Sequence, residues 1–459
     1  MSRWINGSIP EGSIPEGLSK RTLFQYRSMG GYANSRGNSF VYFSSVAGKK
    51  TTSRAGWLAV GVTALVAGMV GGCGGGSSSG GEVLYAVGPG NSEVATFLVS
   101  GSSGLTPAGT PVSTGSGPDA IAIDPQHRFA YIADSANGIG PGGVSQYVLS
   151  QKSGTLAAAT FSSTIGNGGI APPAETGTNP VAVVIDVTGT YVFVANQGSN
   201  SISVFVIDLV GCAGICGNGT LTEVKQPPAG PLPPNCVAGN ANPCPLSLGT
   251  ASPTGLATTG TMLFVSTSTA GAGAVSTYTF DSTTGVIATP ATFTTPVDLN
   301  PSAMTMDAAA KFLFLTDSAD SEVEALSIGG TGQLTAVSQQ APCAATTCAT
   351  GPMPLNAWIS PSGNFLYTAN QGGAGCANGG VSAFSVSSGA LTALSGSPFD
   401  AGPCPSYVTG DSSGSFLFVA NGGNNNTITT FSIDSSGAPK EPGIASPSIV
   451  INPTVLASI

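Results

Sequence analysis

The sequence predicts an all-β chain folded as a seven-bladed β-propeller of four-stranded antiparallel blades. Three observations predict it: a repeat of constant length, a seventh unit split between the two ends of the repeat region, and a composition suited to strands and turns. The repeat reads Pro, apolar strand, polar turn, aromatic-rich strand, then Asp or Asn. It appears as Pro118-DAIAIDPQHRFAYIAD, Pro180-VAVVIDVTGTYVFVAN, Pro301-SAMTMDAAAKFLFLTD, Pro354-LNAWISPSGNFLYTAN and Pro405-SYVTGDSSGSFLFVAN. Pro253-TGLATTGTMLFVST is the same unit with a turn two residues shorter.

A third strand follows each pair. Val144-Ser-Gln-Tyr147, Ile202-Ser-Val-Phe205, Val275-Ser-Thr-Tyr278, Val323-Glu-Ala-Leu326, Val381-Ser-Ala-Phe384 and Ile428-Thr-Thr-Phe431 alternate with the period of two that a pleated strand imposes. Gly154-Thr-Leu156, Gly332-Gln-Leu334 and Gly389-Ala-Leu391 then turn the chain into a fourth strand. Six complete units leave Pro453-TVLASI as a first strand without successors, and Val83-LYAV with Val94-Ala-Thr-Phe97 as second and third strands without a first. Joining them makes a seventh blade and closes a ring, which removes the free sheet edges. Four strands in roughly 50 residues is the period of a propeller blade.

The 459 residues include 66 Gly and 33 Pro, with 41% hydrophobic and only 8% charged. Gly and Pro supply turn geometry, and the regular apolar strands exclude a disordered chain. Beyond Cys73 there are five basic against twenty acidic residues, a net of −15. Such a body repels phosphates, so nucleic acid is excluded as a partner.

The front of the chain reads as an export segment. Residues 1–56 are an N-terminal extension ending in the basic Lys49, Lys50 and Arg54, and Met29 is an alternative start. Residues 57–73 run from the apolar Trp57–Val70 stretch into Gly71-Gly72-Cys73, too short for a membrane span. The Val-Gly-Gly-Cys end resembles the lipobox of bacterial lipoproteins, which implies lipidation of Cys73 and a chain anchored on the periplasmic side or cell surface. Residues 74–81 (GGGSSSGG) form a tether, and 82–459 form the propeller.

Tyr191-VFVAN, Phe365-LYTAN and Phe416-LFVAN, together with the Asp/Ser-x-x-Gly turns and the Gly-x-Leu entries, resemble the lactonase-like propellers, the group of propeller-type 6-phosphogluconolactonases and YVTN-repeat surface proteins. The resemblance covers residues 82–459. It implies the fold strongly and lactone hydrolysis as an expectation.

Loops after the second and fourth strands share one face, and the long ones, 135–142, 161–179, 227–252, 340–352 and 371–379, are expected there as a binding surface. His127 and Arg128 lie in the turn Asp124-Pro-Gln-His-Arg on the opposite face, so a general-base role for His127 is set aside. Asp134, Asn196, Asp317, Asn370 and Asn421 end the second strands and are candidate channel-mouth binding residues, or else cap the following turns. Asp317, Asp320 and Glu322 form an acidic cluster, a weak Ca²⁺ candidate whose spacing departs from a calcium loop. Eight cysteines remain after Cys73, an even number that reads as disulfides in an exported chain. Proximity pairs Cys212 with Cys216, Cys236 with Cys244, Cys343 with Cys348 and Cys376 with Cys404.

These readings lead to a monomeric cell-envelope propeller that binds a carbohydrate, a peptide or an envelope protein through its long-loop face, catalytically degenerate. The alternative is a sugar-lactone hydrolase using channel-mouth carboxylates.

Overall fold

The computed structural model describes residues 82–459 except 101–103, 139, 151–152, 160–172, 210–217, 228–243, 270–271, 298–300, 338–346, 423–426 and 441–452. Cys73, the export segment and the tether lie outside the described residues, as do Cys212, Cys216, Cys236 and Cys343.

Among the described residues the strands form seven antiparallel sheets, numbered here as blades in chain order. Blade 1 takes its innermost strand, Val455–Ser458, from the C-terminal end and adds Val83–Gly88, Glu93–Val99 and Leu105–Pro107. Tyr85 lies opposite Ala457 and Val87 opposite Val455, so the ring closes by antiparallel pairing as expected. Blade 2 is Pro118–Ile123, Phe129–Asp134, Pro141–Leu149 and Leu156–Ala158. Blades 3 to 7 begin at Pro180–Ile185, Ser252–Thr258, Ala303–Met306, Pro354–Ile359 and Pro405–Gly410.

The second strand of each blade is covered on both faces. Phe129–Asp134 and Tyr191–Asn196 are buried at every position, which is why these segments read as continuous apolar runs. There is no single central core. Instead, seven apolar clusters each sit between two adjacent blades, such as Phe129, Tyr131 and Ala133 of blade 2 against Val183, Val192, Val194 and Phe205 of blade 3. The cluster between blades 7 and 1 sets Phe418, Ala420 and Ile428 against Leu84, Ala86 and Phe97, and so completes the circle.

A second contact locks neighbours together. The Gly of each Gly-x-Leu turn has positive φ and lies against the residue that opens the second strand of the preceding blade. A Cβ on Gly219 would fall 2.2 Å from Phe129, one on Gly389 2.5 Å from Phe312, and one on Gly437 2.1 Å from Phe365. Two residues on, Tyr131 and Tyr367 donate their hydroxyls to the carbonyls of Gly219 and Gly437 at 2.8 and 2.7 Å. Replacing Gly437 with Ala combines left-handed strain with overpacking. It is expected to lower stability by about 2–4 kcal/mol in a denaturant titration.

The turns between first and second strands share one device. Asp186, Asp307 and Asp411 are buried and accept backbone N–H groups from the start of the next strand, as Asp186 does from Thr190 and Tyr191. In blade 2, Asp124 also binds the Arg128 guanidinium at 2.7 Å, and Arg128 reaches the Gly189 carbonyl of blade 3. The lone Arg of the body is therefore a tie between blades, and His127 is exposed on the same turn.

At the seam, Glu82 accepts the Ser412 N–H at 2.6 Å and stands beside Asp411. Burial, reinforced by the Asp411 charge, pushes the Glu82 carboxyl up to about 7. A raised carboxyl contributes stability that is complete below its unfolded value near 4.5 and lost as pH rises through about 7. Thermal melts are expected to show Glu82→Gln flattening the fall in stability between pH 5 and 8.

Candidate functional site

The first strands touch in a closed cycle and enclose a central cavity of about 730 Å³. Its mouth is built by a repeated irregularity. In blades 2, 3, 4, 6 and 7 the pairing of first and second strands slips by one residue immediately after the opening Pro, between Pro118 and Ala120, Pro180 and Ala182, Pro253 and Gly255, Pro354 and Asn356, and Pro405 and Tyr407. Such a bulge leaves one residue unpaired and re-aims its side chain. The bulged residues are Asp119, Val181, Thr254, Leu355 and Ser406, and all line the cavity. Ser302 of blade 5 and Thr454 of blade 1 occupy the same position after their own Pro.

This ring is hydroxyl-rich and carries one carboxyl group. Ser302 donates to the Pro354 carbonyl and Ser406 to the Thr454 carbonyl, each reaching the next blade at 3.0 and 3.2 Å. The carbonyls of Thr316 at 2.9 Å and Ala420 at 3.3 Å compete within the same blades, so each hydroxyl proton goes to a backbone carbonyl and the lone pairs remain as acceptors. Gln371, just beyond the second strand of blade 6, adds an amide to the lining. Asp119 is the only carboxylate among the cavity-lining residues, and no Arg, Lys or His is among them. Burial raises its pKa, opposed in part by a hydrogen bond from Ser135.

The five residues ending the second strands lie behind this mouth, not in it. None lines the cavity, and all are buried. Asn196 donates to Ser201 and Ser203, Asn370 to Ser382, and Asn421 to Thr427 and Thr429, all on the third strand of the same blade. Above them runs the chain entering the first strand. Gly115, Gly177, Gly351 and Gly402, each three residues before the blade Pro, pass so close that a Cβ would lie 2.6–3.1 Å from Asp134, Asn196, Asn370 and Asn421 respectively. The Asx side chains are anchors for this crossing. The Gly-x-x-Pro spacing is the signal for it, and it is visible in the sequence.

Asp134 differs from its sisters in carrying an acid. Burial pushes it up to about 7, although the Ser145 hydroxyl and N–H both donate to it. Its Oδ1 has no partner. Asp134→Asn should therefore stabilise the fold at pH 8, on the order of a few kcal/mol, with the gain fading toward pH 5 as the acid takes up its proton. Differential scanning calorimetry at both pH values checks this.

Parts of three long segments pair with their own blades. Ala174–Thr178, Leu246–Ser247 and Thr347–Ala349 return to pair with the third strands of blades 2, 3 and 5. In these blades the outer strand is thus made in two parts, and residues 160–172, 228–243 and 338–346 between the parts lie outside the described residues. The physical reason is that the third strand is longer than the first half of the fourth, so its free edge recruits the chain back. The 135–142 and 371–379 loops follow the second strands of blades 2 and 6. There Cys376 is bridged to Cys404, with Cα atoms 4.9 Å apart, tying blade 6 to the entry of blade 7. Cys244 and Cys348 are also disulfide-bonded, and the partners expected for them lie outside the described residues.

The acidic cluster does not converge. Asp317 is buried and accepts the N–H groups of Ala319 and Asp320, while Glu322 opens the third strand of blade 5. Among the described residues no group of three His, Cys, Asp or Glu side chains is placed to hold a metal ion.

The family described as Lactonase, 7-bladed beta-propeller matches residues 77–208 and 340–445, more than half of the chain. The chain belongs to this lactonase family. No curated protein matches by sequence. Among solved structures, the periplasmic gluconolactonase of Pseudomonas aeruginosa is similar at 20% identity and TM-score 0.59, covering 82% of this chain and 99% of that one. A candidate 6-phosphogluconolactonase from Bacteroides fragilis is similar at 18% identity and TM-score 0.60, covering 83% and 99%. At these identities the likeness is one of fold.

Proposed function

We propose that this lactonase-family propeller hydrolyses an uncharged sugar-type lactone at the channel mouth, with Asp119 as general base. The observation that carries the reading is the bulge that turns Asp119, as the sole carboxylate among the lining residues, into a cavity mouth that also carries four hydroxyls, the Gln371 amide and the apolar Val181 and Leu355. Asp119 takes a proton from water as the water attacks the lactone carbonyl. The acyl C–O bond breaks, the ring oxygen leaves as a hydroxyl after protonation, and the product is a hydroxy acid. Gln371 supplies amide donors toward the developing oxyanion, and Ser302 and Ser406 accept hydrogen bonds from substrate hydroxyls.

The absence of cations from the lining favours a substrate without phosphate, because a phosphate calls for Arg or Lys. The binding-scaffold reading draws less support, since the described parts of three long segments pair with the third strands of their own blades. Export with a lipid on Cys73 is part of the proposal, supported by the basic, apolar and small-residue order of residues 49–73 and by the Cys376–Cys404 bridge, which suits an oxidising compartment.

Hydrolysis of δ-gluconolactone and its 6-phosphate by the purified chain tests this. The neutral lactone is expected to be turned over and the phosphorylated one not. Asp119→Asn should lower kcat/KM by about 10²-fold or more. The acid limb of the wild-type pH profile should lie above the usual aspartate range, because burial raises the Asp119 pKa. Full activity of Asp119→Asn would exclude it as the base.

A further inference from the structure

The cavity is deep on one side only. Along blades 2 to 5 its lining runs down the first strands to Ile123, Ile185, Thr258 and Met306. Along blades 6, 7 and 1 it ends at Asn356, Tyr407 and Val455, the second residues after the blade Pro, and no residue further along those strands lines it. The same position is Ala120, Ala182, Gly255 and Ala303 in blades 2 to 5. Side-chain size at this one level therefore divides the channel, and Tyr407 is the largest residue there. Further down, Trp358 of blade 6 stacks on Tyr367 with ring centroids 5.8 Å apart. It takes the space over Gly410 of blade 7, where a Cβ would fall 2.3 Å from the indole.

Tyr407 is held at both ends. Its ring packs against the apolar clusters on either side of blade 1, and its side chain is hydrogen-bonded to that of Asn356. The amide is fixed in turn, because its Oδ1 accepts the Val408 N–H at 2.9 Å and leaves the NH2 group for the phenol. A bond that favours the ionised phenol is one given to its oxygen, so the phenol proton remains for a ligand. Burial pushes the phenol pKa up, which keeps that proton in place at neutral pH.

We propose that Tyr407 determines specificity at this site: its hydroxyl, oriented by Asn356, donates to a hydroxyl oxygen of the lactone ring, and its bulk confines that ring to the side formed by blades 2 to 5, where Asp119 stands. The inference rests on the reading of the mouth as a lactone site. Tyr407 takes no part in bond breaking.

Two measurements on the purified full-length chain test it: calorimetric titration with D-glucono-δ-lactam, whose amide resists hydrolysis, and turnover of δ-gluconolactone. Tyr407→Phe keeps the ring and its packing and is expected to weaken lactam binding and lower kcat/KM by about tenfold. Asn356→Asp still accepts the Val408 N–H but draws the phenol proton to itself, so it should cost as much, with no further loss in the double variant. Should Tyr407→Phe fail to fold, Asn356→Asp reads the same proton.

Unchanged lactam affinity and kcat/KM in Tyr407→Phe, with δ-gluconolactone turned over, overturn the role of Tyr407 and leave the mouth reading standing. Lactam binding that weakens in the variant, without turnover of the lactone by the wild type, supports Tyr407 and overturns hydrolysis. A wild type that neither binds the lactam nor turns over the lactone overturns both.

Discussion

The structure depends on how one blade seats against the next. A propeller has no common interior, so each sheet must cover a face of its neighbour. Here that contact is made by the residue opening the second strand, lying on a glycine at positive φ in the next blade's outer turn. Phe129 on Gly219, Phe312 on Gly389 and Phe365 on Gly437 are instances of one joint. The absence of a Cβ lets the ring reach the backbone, and the tyrosine two residues later hydrogen-bonds the same glycine's carbonyl in blades 2 and 6. Repeated around the circle, the joint sets the spacing of blades and therefore the width of the central cavity. The seam between blades 7 and 1 is the one place where the circle is held by chain ends, and there Glu82 and Asp411 add a dependence on proton concentration.

The candidate site follows from a local defect in this regular frame. A proline cannot donate to its partner strand, and the pairing slips at the next residue. That residue is turned toward the axis. Five blades slip in this way, and blades 5 and 1 place Ser302 and Thr454 at the same position after their own Pro, so a ring of side chains stands at one end of the cavity and one variable position per blade sets the chemistry of the mouth. Asp119, Thr254, Ser302, Ser406 and Thr454 make it polar, and Val181 and Leu355 interrupt it. Asp119 and the hydroxyls stand on a scaffold whose other residues are taken up by packing between blades.

The strands, their order and the shared blade were legible in the sequence, because a fully covered strand reads as an apolar run and a turn reads as Asp or Ser with Gly. The site was less so. Asp134, Asn196, Asp317, Asn370 and Asn421 recur at a strand end, which marks a constraint without saying which kind. Four of them are crossed by a glycine three residues before the next proline, so they hold the chain entering the first strand. Asp119 has no sequence signal of its own, because the residue after the blade Pro differs in chemistry from blade to blade and only the bulge turns it into the cavity.

By itself the sequence determined the all-β repeat, the number of blades and the ring closure, since periodicity and turn chemistry act over a few residues and can be read locally. Tertiary structure decided which recurrent polar residues face the cavity and which lie behind its wall. It also decided that Arg128 ties two blades, and that three outer strands are made in two parts. A one-residue slip in pairing exchanges the two faces of a strand, and no local pattern reports it.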